Sequence, residues 1–185
     1  AHSGAELTRR GQYERLEAVF GTIEERARHL EGFIRGYARF AKLPAPRLES
    51  VAWPALVERL RSQIGFVLED ALPTEPARLD VPQIEQALLN LLKNAHESGS
   101  PPEGVSLRVR RVPGLLRIEV ADRGSGMSDA VLANALVPFY STKRSGTGLG
   151  LALAREIAEA HGGRISLGNR KEGGLVVTLV LPTTD

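Results

Sequence analysis

Two asparagines four residues apart are the first feature of this sequence that could bind a ligand. In the segment ALLNLLKNAHES, residues 87–98, the pattern predicts a helix whose polar face carries Asn90, Asn94 and Glu97. Asparagine is a mediocre helix former, and its amide oxygen is a hard neutral ligand that suits Mg²⁺ alongside water and phosphate oxygens. The pair indicates a magnesium site, although a merely solvated polar face is equally compatible with this segment alone.

A second motif, VADRGSGM at residues 120–127, leads from a predicted strand into a turn. Asp122, at the exit of the strand, can accept a hydrogen bond from a buried amine. Gly124 and Gly126 permit positive φ and let a flat ring approach the backbone closely. A motif of this kind is also typical of ordinary turns.

A third motif, PFYSTKRSGTGLGL at residues 138–151, contains three glycines around the start of a predicted helix: Gly146, Gly148 and Gly150. Exposed backbone N–H groups and the positive end of a helix form an anion site suited to phosphate. Lys143 and Arg144 add positive charge close by. A flexible loop is the alternative. The glycines do not follow a strand, as a Rossmann fingerprint requires, and the P-loop pattern is absent.

The elements that would position these motifs follow from periodicity and turn residues. Asp80 and Pro82 favour a helix start, with Asp80 as N-cap, and this helix should run to about His96. Alternation around Pro113-Gly114 predicts a hairpin through Val105–Val109 and Leu116–Val120. The remaining predicted elements are helices at Pro54–Ile64 and Leu149–His161, a strand at Phe66–Leu68, and a hairpin of Ile165–Leu167 with Leu175–Leu181. Two hairpins interleaved with three helices predict an α+β fold, a two-layer α/β sandwich.

Composition limits the classes of protein that need to be considered. The 185 residues include 42% hydrophobic and 25% charged residues and carry a net charge of +2, which is typical of one soluble domain with an appendage. Arginines are dispersed among acids, which argues against nucleic-acid binding. Without cysteine there is no disulfide or thiolate metal site, which fits a cytoplasmic location. No run reaches the ~20 apolar residues of a membrane helix, although a longer parent could be anchored in the inner membrane.

The N-terminal part of the sequence has a different pattern. Residues 1–12 are polar and are expected to be a disordered start or a remnant of cloning. Residues 13–43 are predicted to form a helix with a heptad seam made of Leu16, Phe20, Ile23, Ala27, Leu30, Ile34, Tyr37 and Ala41. Such a narrow apolar stripe needs a partner helix, from within the chain or from a second copy. Leu43-Pro44-Ala45-Pro46 ends the helix and marks a domain boundary, with a second domain expected at 48–185.

The motifs, taken in order, closely resemble the ATP-binding catalytic domain of sensor histidine kinases, within the superfamily of gyrase, heat-shock chaperone, histidine kinase and mismatch-repair ATPases. LLNLLKNAHES resembles the N box, ADRGSGM the G1 box, PFYSTK the F box and GTGLGLAL the G2 box, and AHGGRISLGN resembles the strand that follows. The resemblance covers about residues 48–182. It implies the Bergerat-type ATP-binding fold, the cofactors ATP and Mg²⁺, and protein-histidine kinase activity.

Roles for individual residues follow from the same resemblance. Asn94 would bind Mg²⁺ with assistance from Asn90, and Asp122 would hydrogen-bond the adenine amino group. Gly124 and Gly126 would shape the base pocket.

The resemblance also implies how the phosphates would be held. Lys143 is expected to be catalytic, in a short lid of the kind found in nitrogen-regulation sensor kinases. It would hold the phosphates together with the backbone amides of Gly146, Thr147, Gly148, Leu149 and Gly150. The N-terminal seam is similar to the second helix of the family's dimerising four-helix bundle, which implies a homodimer.

The sequence departs from the family at its phosphoacceptor. The motif His-Glu-x-x-x-Pro is absent, and His29 lacks the downstream proline. His96 and His161 lie inside the ATP domain, and His2 lies in the polar tail. We therefore expect the chain to bind ATP without efficient self-phosphorylation, because the acceptor histidine lies outside these residues.

The predicted function is transfer of the γ-phosphoryl group of ATP to a histidine elsewhere, and then to an aspartate on the receiver domain of a response regulator. An ATP hydrolase of the gyrase or mismatch-repair kind is one alternative. Those enzymes place a glutamate one turn before the second asparagine, where this sequence has Asn90. A non-enzymatic dimerising scaffold is the other alternative.

Overall fold

A computed structural model describes residues 17–27, 30–31, 34, 43–143 and 146–183. The chain divides into two compact units, residues 1–41 and residues 42–185. The assignment of 13–43 to a dimerising bundle and of 48–185 to an ATP-binding domain stays a prediction, as does the disordered start at 1–12, which lies outside the described residues.

The second unit contains four α-helices, a short 3₁₀ turn and seven strands within its described residues. The helices are α1 (Trp53–Arg61), α2 (Val81–His96), α3 (Asp129–Leu132) and α4 (Gly150–Ala160), and the 3₁₀ turn is Pro102–Gly104. The strands are β1 (Glu49–Ser50), β2 (Val67–Leu68), β3 (Arg78–Leu79), β4 (Ser106–Val112), β5 (Leu115–Ala121), β6 (Arg164–Asn169) and β7 (Leu175–Pro182). The predicted α+β fold class is confirmed.

Five of the strands form one mixed sheet in the order β2-β4-β5-β7-β6. β2 pairs in parallel with β4, and the other neighbours are antiparallel. Ile118 in the central strand β5 lies opposite Val109 of β4 and Leu179 of β7, so one face of the sheet is continuously apolar. Both predicted hairpins are present, and β7 lies between the two strands β5 and β6.

The helices cover the apolar face of this sheet. α2 begins where predicted, because the carboxylate of Asp80 accepts a hydrogen bond from Gln83 N at 3.0 Å and Pro82 stands in the first turn. Its buried side is Ile84, Ala87, Leu88, Leu91, Leu92 and Ala95, and it packs against α1, α4 and β5. The polar side with Asn90 and Asn94 is thereby turned away from the core. This arrangement is the two-layer sandwich that the sequence predicts.

Some local predictions differ from the structure at element ends. The first helix of this unit ends at Arg61 and not at Ile64, because Ser62 and Gln63 close it with a turn onto the Glu58 and Leu60 carbonyls. The short helix α3 and the two-stranded sheet of β1 with β3 were not predicted. Strands of two residues contain no repeat from which alternation can be recognised.

The described residues of the first unit are helical at 17–27, 30–31 and 34. The large apolar side chains of the predicted seam that fall in this part, Phe20, Ile23, Leu30 and Ile34, are each 51–63% exposed. Leu16, Tyr37 and Ala41 of the seam lie outside the described residues. Within the described part of the chain, no helix has the length and apolar character that crossing a membrane requires.

Candidate functional site

The carboxylate of Asp122 is buried at the carboxyl end of β5. Its side chain is only 4% exposed. The Oδ1 atom accepts hydrogen bonds from Gly124 N at 2.8 Å, from Ser98 Oγ at 3.0 Å and from Leu175 N at 3.3 Å. The Oδ2 atom accepts none from the part of the chain that is described. One carboxylate oxygen is thus fixed by the protein, and the other is available to a donor such as an exocyclic amine.

The glycines that follow Asp122 lie where a side chain would not fit. A Cβ atom added to Gly124 would overlap the side chain and carbonyl of Ser98. Gly126 has φ of 67°, and a Cβ there would lie 2.7 Å from Asn169 Oδ1. The segment is therefore held close to Ser98 on one side and to Asn169 of β6 on the other.

The amides of Asn90 and Asn94 project from α2 towards the start of α4. An ideal Cβ on Gly150 would lie 3.5 Å from Asn94 Nδ2 and 3.8 Å from Asn90 Cβ. Both asparagines are half-buried, and neither amide makes a hydrogen bond to another group in the described ranges. Two unpaired amide oxygens beside a helix start that attracts anions are a suitable donor set for Mg²⁺ bound to phosphates.

The start of α4 has no side-chain cap. Of the five amides expected to bind phosphate, Gly146 N donates to Lys143 O at 3.2 Å, and Leu149 N makes a long contact of 3.4 Å with Thr147 Oγ1. The amides of Thr147, Gly148 and Gly150 donate to no acceptor among the described residues. Unpaired N–H groups at a helix start leave a positive potential that favours an anion.

A left-handed backbone shapes the loop before α4. Gly148 has φ of 67°, and a Cβ there would lie 2.5 Å from the carbonyl carbon of Phe139. Phe139 itself has φ of 68° and donates its N–H to Gly148 O at 3.0 Å. The F-box segment and the glycine-rich segment are thus held together by their backbones. Glycine is required at 148 by both its φ and this close approach.

Lys143 forms an ion pair with Glu97, the C-cap residue of α2. Its Nζ atom lies 2.7 Å from Glu97 Oε2, and both side chains are largely exposed. The adjacent positions 144–145, including Arg144 of the predicted charge pair, lie outside the described residues. The ion pair brings the predicted catalytic lysine to the helix that carries the paired asparagines.

All four sequence motifs therefore meet at one helix. α2 contacts the start of α4 through Asn90 and Asn94. The two residues that follow the helix, Glu97 and Ser98, contact the F-box segment and the segment after β5. The arrangement groups a buried carboxylate, two half-buried side-chain amides and a lysine around the carboxyl-terminal half of α2. These groups could together bind a planar amine-bearing base and a polyphosphate.

Three residues of the site were not recognised in the sequence. Ser98 lies four residues after Asn94, so helical spacing could have identified it. Asn169 and Arg170 follow from no local pattern. Asn169 bonds both backbone groups of Met127, and Arg170 Nη1 donates to the Asp122 carbonyl at 2.9 Å.

The two histidines of this unit have structural contacts. His161 Nε2 accepts from the backbone N–H of Asp80 at 3.0 Å, and Nδ1 lies 2.7 Å from Ile157 O. Since a backbone N–H only donates and a carbonyl only accepts, the proton is on Nδ1 and both ring nitrogens are used. His96 Nε2 lies 2.7 Å from Gly65 O. His2 and His29 lie outside the described residues.

Comparison with known proteins gives a family match over most of this unit. The model of the family described as histidine kinase-, DNA gyrase B-, and HSP90-like ATPase matches residues 79–185. The match begins one residue before the Asp80 cap of α2 and covers the N-box helix, the Asp122 segment and the glycine-rich start of α4.

Individual relatives are sensor kinases. The C4-dicarboxylate transport sensor protein DctS of Rhodobacter capsulatus is 37% identical over 182 residues, which cover 90% of this chain and 27% of DctS. The sensory histidine kinase/phosphatase NtrB of the same species is 31% identical over 166 residues, 78% of this chain and 47% of NtrB. The chain thus spans less than half the length of these relatives.

The solved structures that resemble this chain include those of histidine kinases. The catalytic domain of the histidine kinase ThkA is 26% identical, with a TM-score of 0.67, over 75% of this chain and 97% of that domain. The mycobacterial sensor histidine kinase MprB is also 26% identical, with a TM-score of 0.61, over 74% of this chain and 98% of the other. Gyrase-type hydrolase function is not favoured by these comparisons.

Proposed function

This chain belongs to the family of histidine kinase-, DNA gyrase B- and HSP90-like ATPases, and we propose that it is the ATP-binding catalytic portion of a sensor histidine kinase. In the parent protein it would transfer the γ-phosphoryl group of ATP to a histidine outside these residues, and the phosphoryl group would then pass to an aspartate on a response regulator. The observation that supports this most is the meeting of all four motifs at α2.

The adenine base would be recognised by Asp122. Its Oδ1 atom is held by three protein donors, so the Oδ2 atom has a fixed position from which to accept the adenine amino group. Gly124 and Gly126 would leave room for the flat ring against the backbone. Because the acceptor is oriented before binding, little free energy is lost in ordering it.

The phosphates would be held at the opposite end. Asn94, assisted by Asn90, would supply amide oxygens to Mg²⁺, and the metal would neutralise phosphate charge when bound. The amides of Thr147, Gly148 and Gly150, which have no acceptor among the described residues, would donate to the phosphates, and Lys143 would leave Glu97 to contact a phosphate. Phosphoryl transfer requires mainly positioning and charge neutralisation from the protein, which these groups provide.

The phosphoryl acceptor would come from another part of the parent protein. Both ring nitrogens of His161 are engaged, and His96 is bonded to the Gly65 carbonyl. A histidine on a dimerising helix would fill this role, and a receiver domain would then accept the phosphoryl group.

We further propose that the N-terminal helix pairs with a second copy of the chain. Four described apolar side chains of the seam, Phe20, Ile23, Leu30 and Ile34, are more than half exposed in the single chain. A contiguous stripe of this kind is stable in water only when another helix covers it. We place these residues in the cytoplasm, with any membrane anchor in other segments of the parent.

Binding of a fluorescent ATP analogue with Mg²⁺ tests the site directly. We expect binding by the wild type, a large loss with Asp122→Ala, a smaller loss with Asn94→Ala, and no change with Asn134→Ala, whose side chain bonds the Ala130 carbonyl on the exposed helix α3. Unchanged binding by the first two variants would show that the site is assigned wrongly.

Phosphotransfer requires the full-length parent. With radiolabelled ATP we expect phosphorylation on a histidine and transfer to a purified receiver domain, both abolished by Asp122→Ala. Steady-state phosphate release without protein phosphorylation would indicate a hydrolase, and ATP binding with neither reaction would indicate a scaffold.

A further inference from the structure

The side chain of Asn169 makes a two-point contact with the backbone of the Asp122–Met127 segment. Its Oδ1 accepts from Met127 N at 2.9 Å, and its Nδ2 donates to Met127 O at 2.6 Å. The contact spans 42 residues of sequence and has the hydrogen-bond pattern of one strand residue facing another. The backbone groups of Met127 determine which side-chain atom is oxygen and which is nitrogen, since each has only one role.

The turn that follows Asn169 holds the other end of the same segment. Arg170 Nη1 donates to Asp122 O at 2.9 Å, and Asp122 N donates to Leu175 O at 2.9 Å. A Cβ on Gly174 would overlap the Asp122 carbonyl. The connection between β6 and β7 therefore fixes the segment at its first residue through Arg170 and Leu175, and at its last residue through Asn169.

We propose that Asn169 is a positioning residue for adenine recognition, which rests on the function proposed above. It keeps Gly126 and Met127 in the backbone conformation that leaves the base pocket open, while Asp122 supplies the polar contact. Asparagine fits this role because its amide has one acceptor and one donor at the spacing of a peptide group. Aspartate at 169 could accept from Met127 N but would repel Met127 O, and alanine would do neither.

Because Asn169 is exposed, a role in positioning can be distinguished experimentally from a role in fold stability. The side chain is exposed at the end of the edge strand β6, and Met127 is only half-buried, so water can replace both hydrogen bonds when they are lost. We expect little change in the unfolding transition. The segment would instead gain freedom that nucleotide binding must remove, which lowers affinity.

The experiment compares N169D and N169A with the matched surface variant N134A, in the whole 185-residue chain. Calorimetry measures the Kd of ATP with Mg²⁺ and with EDTA, and amide hydrogen exchange is followed at Met127 and, as a reference, at Val131. We expect N169D and N169A to weaken ATP binding about tenfold under both conditions, which corresponds to the loss of one or two net hydrogen bonds. Met127 exchange should accelerate while that of Val131 stays unchanged, and N134A should match the wild type.

Several results would overturn the proposal. They are ATP affinities within twofold of wild type, a loss confined to the Mg²⁺ condition, or Met127 exchange that is already fast in the wild type. A cooperative unfolding midpoint that falls steeply in both variants would assign Asn169 a structural role instead. If the wild type itself does not bind ATP, the proposed function is wrong and this inference with it, whereas wild-type binding with unchanged variants overturns the inference alone.

Discussion

The two ends of the proposed ATP site differ in how fully the protein satisfies its own polar groups. At the carboxylate end, Asp122 Oδ1 accepts three hydrogen bonds, and Asn169 and Arg170 fix the backbone around it. At the phosphate end, the amides of Asn90 and Asn94 have no partner among the described residues, and Lys143 is held by one exposed ion pair.

This difference indicates that the two ends recognise the base and the phosphates in different ways. A neutral base such as adenine can make few hydrogen bonds. To distinguish it from other bases, the protein therefore needs an acceptor whose position is set before binding. A polyphosphate with its metal offers several charges, and these can order unpaired amides and an exposed lysine as they bind. The carboxylate end is therefore expected to depend on each contact, whereas the phosphate end should tolerate single losses.

Removal of the carboxylate should have the largest effect. In Asp122→Ala the adenine amine would lose its proposed acceptor and the N–H groups of Gly124 and Leu175 would lose theirs, whereas Ser98 Oγ keeps the Ala95 carbonyl at 2.7 Å. We therefore expect ATP affinity to fall about 100-fold and the unfolding free energy to fall by about 1–3 kcal/mol. Calorimetry and thermal unfolding measure the two losses. Asp129→Ala, on the exposed helix α3, is the control. A tenfold loss or less would contradict the importance assigned to this end.

Adding a methyl group at Gly148, in the loop before α4, should have the second-largest effect. Gly148→Ala places a Cβ against the backbone of Phe139 and Tyr140 at positive φ, which is expected to cost about 1–3 kcal/mol. Gly168→Ala is the matched control, because nothing lies within 4 Å of a Cβ at that position. Denaturant unfolding with ATP titration measures the result. Equal behaviour of the two variants would show that the loop adapts.

Removal of one amide proposed to bind Mg²⁺ should have a smaller effect, and only when Mg²⁺ is present. In Asn94→Ala we expect ATP binding to weaken about tenfold with Mg²⁺ and to stay within twofold in EDTA, since one ligand contact of about 1–1.5 kcal/mol is removed. Titrations under both conditions, with Asn134→Ala alongside, provide the measurement. A loss of the same size in EDTA would mean that Asn94 contacts the nucleotide or the fold and not the metal.

The exposed ion pair should have the smallest effect. Glu97→Gln should change the unfolding free energy by less than about 1 kcal/mol, because both partners are solvated. It also removes a negative charge beside the proposed phosphate site and releases Lys143, so ATP affinity should rise about twofold to threefold, whereas Lys143→Met should lower it. Glu103→Gln on the 3₁₀ turn controls for net charge. Weaker ATP binding in Glu97→Gln would indicate that the carboxylate itself assists the nucleotide.

Local chemistry explains which features were predictable. The start of α2 follows from Asp80 and Pro82, and the apolar and polar sides of that helix follow from its 3.6-residue period. The hairpin of β4 and β5 follows from alternation around Pro113 and Gly114. Each of these depends on residues that are neighbours in sequence.

Features that depend on distant partners were missed. Neither the parallel pairing of β2 with β4 nor the position of β7 beside β5 follows from alternation, which predicts strands but not their neighbours. Asn169 was missed for the same reason, since its only marker is a partner 42 residues away. The family resemblance identified the residues proposed to contact ATP. It did not identify Asn169 and Arg170, which hydrogen-bond the backbone of the Asp122–Met127 segment.

The position of β7 in the sheet has a consequence for biosynthesis. This strand is made after all its partners, yet it occupies an inner position between β5 and β6 and supplies both backbone groups of Leu175 to Asp122. A ribosome-bound chain that lacks it would have two strands with unpaired edges and a loosely held carboxylate. Competence to bind adenine should thus not be acquired before β7 has been translated, and nascent chains arrested before residue 175 should be unable to retain ATP.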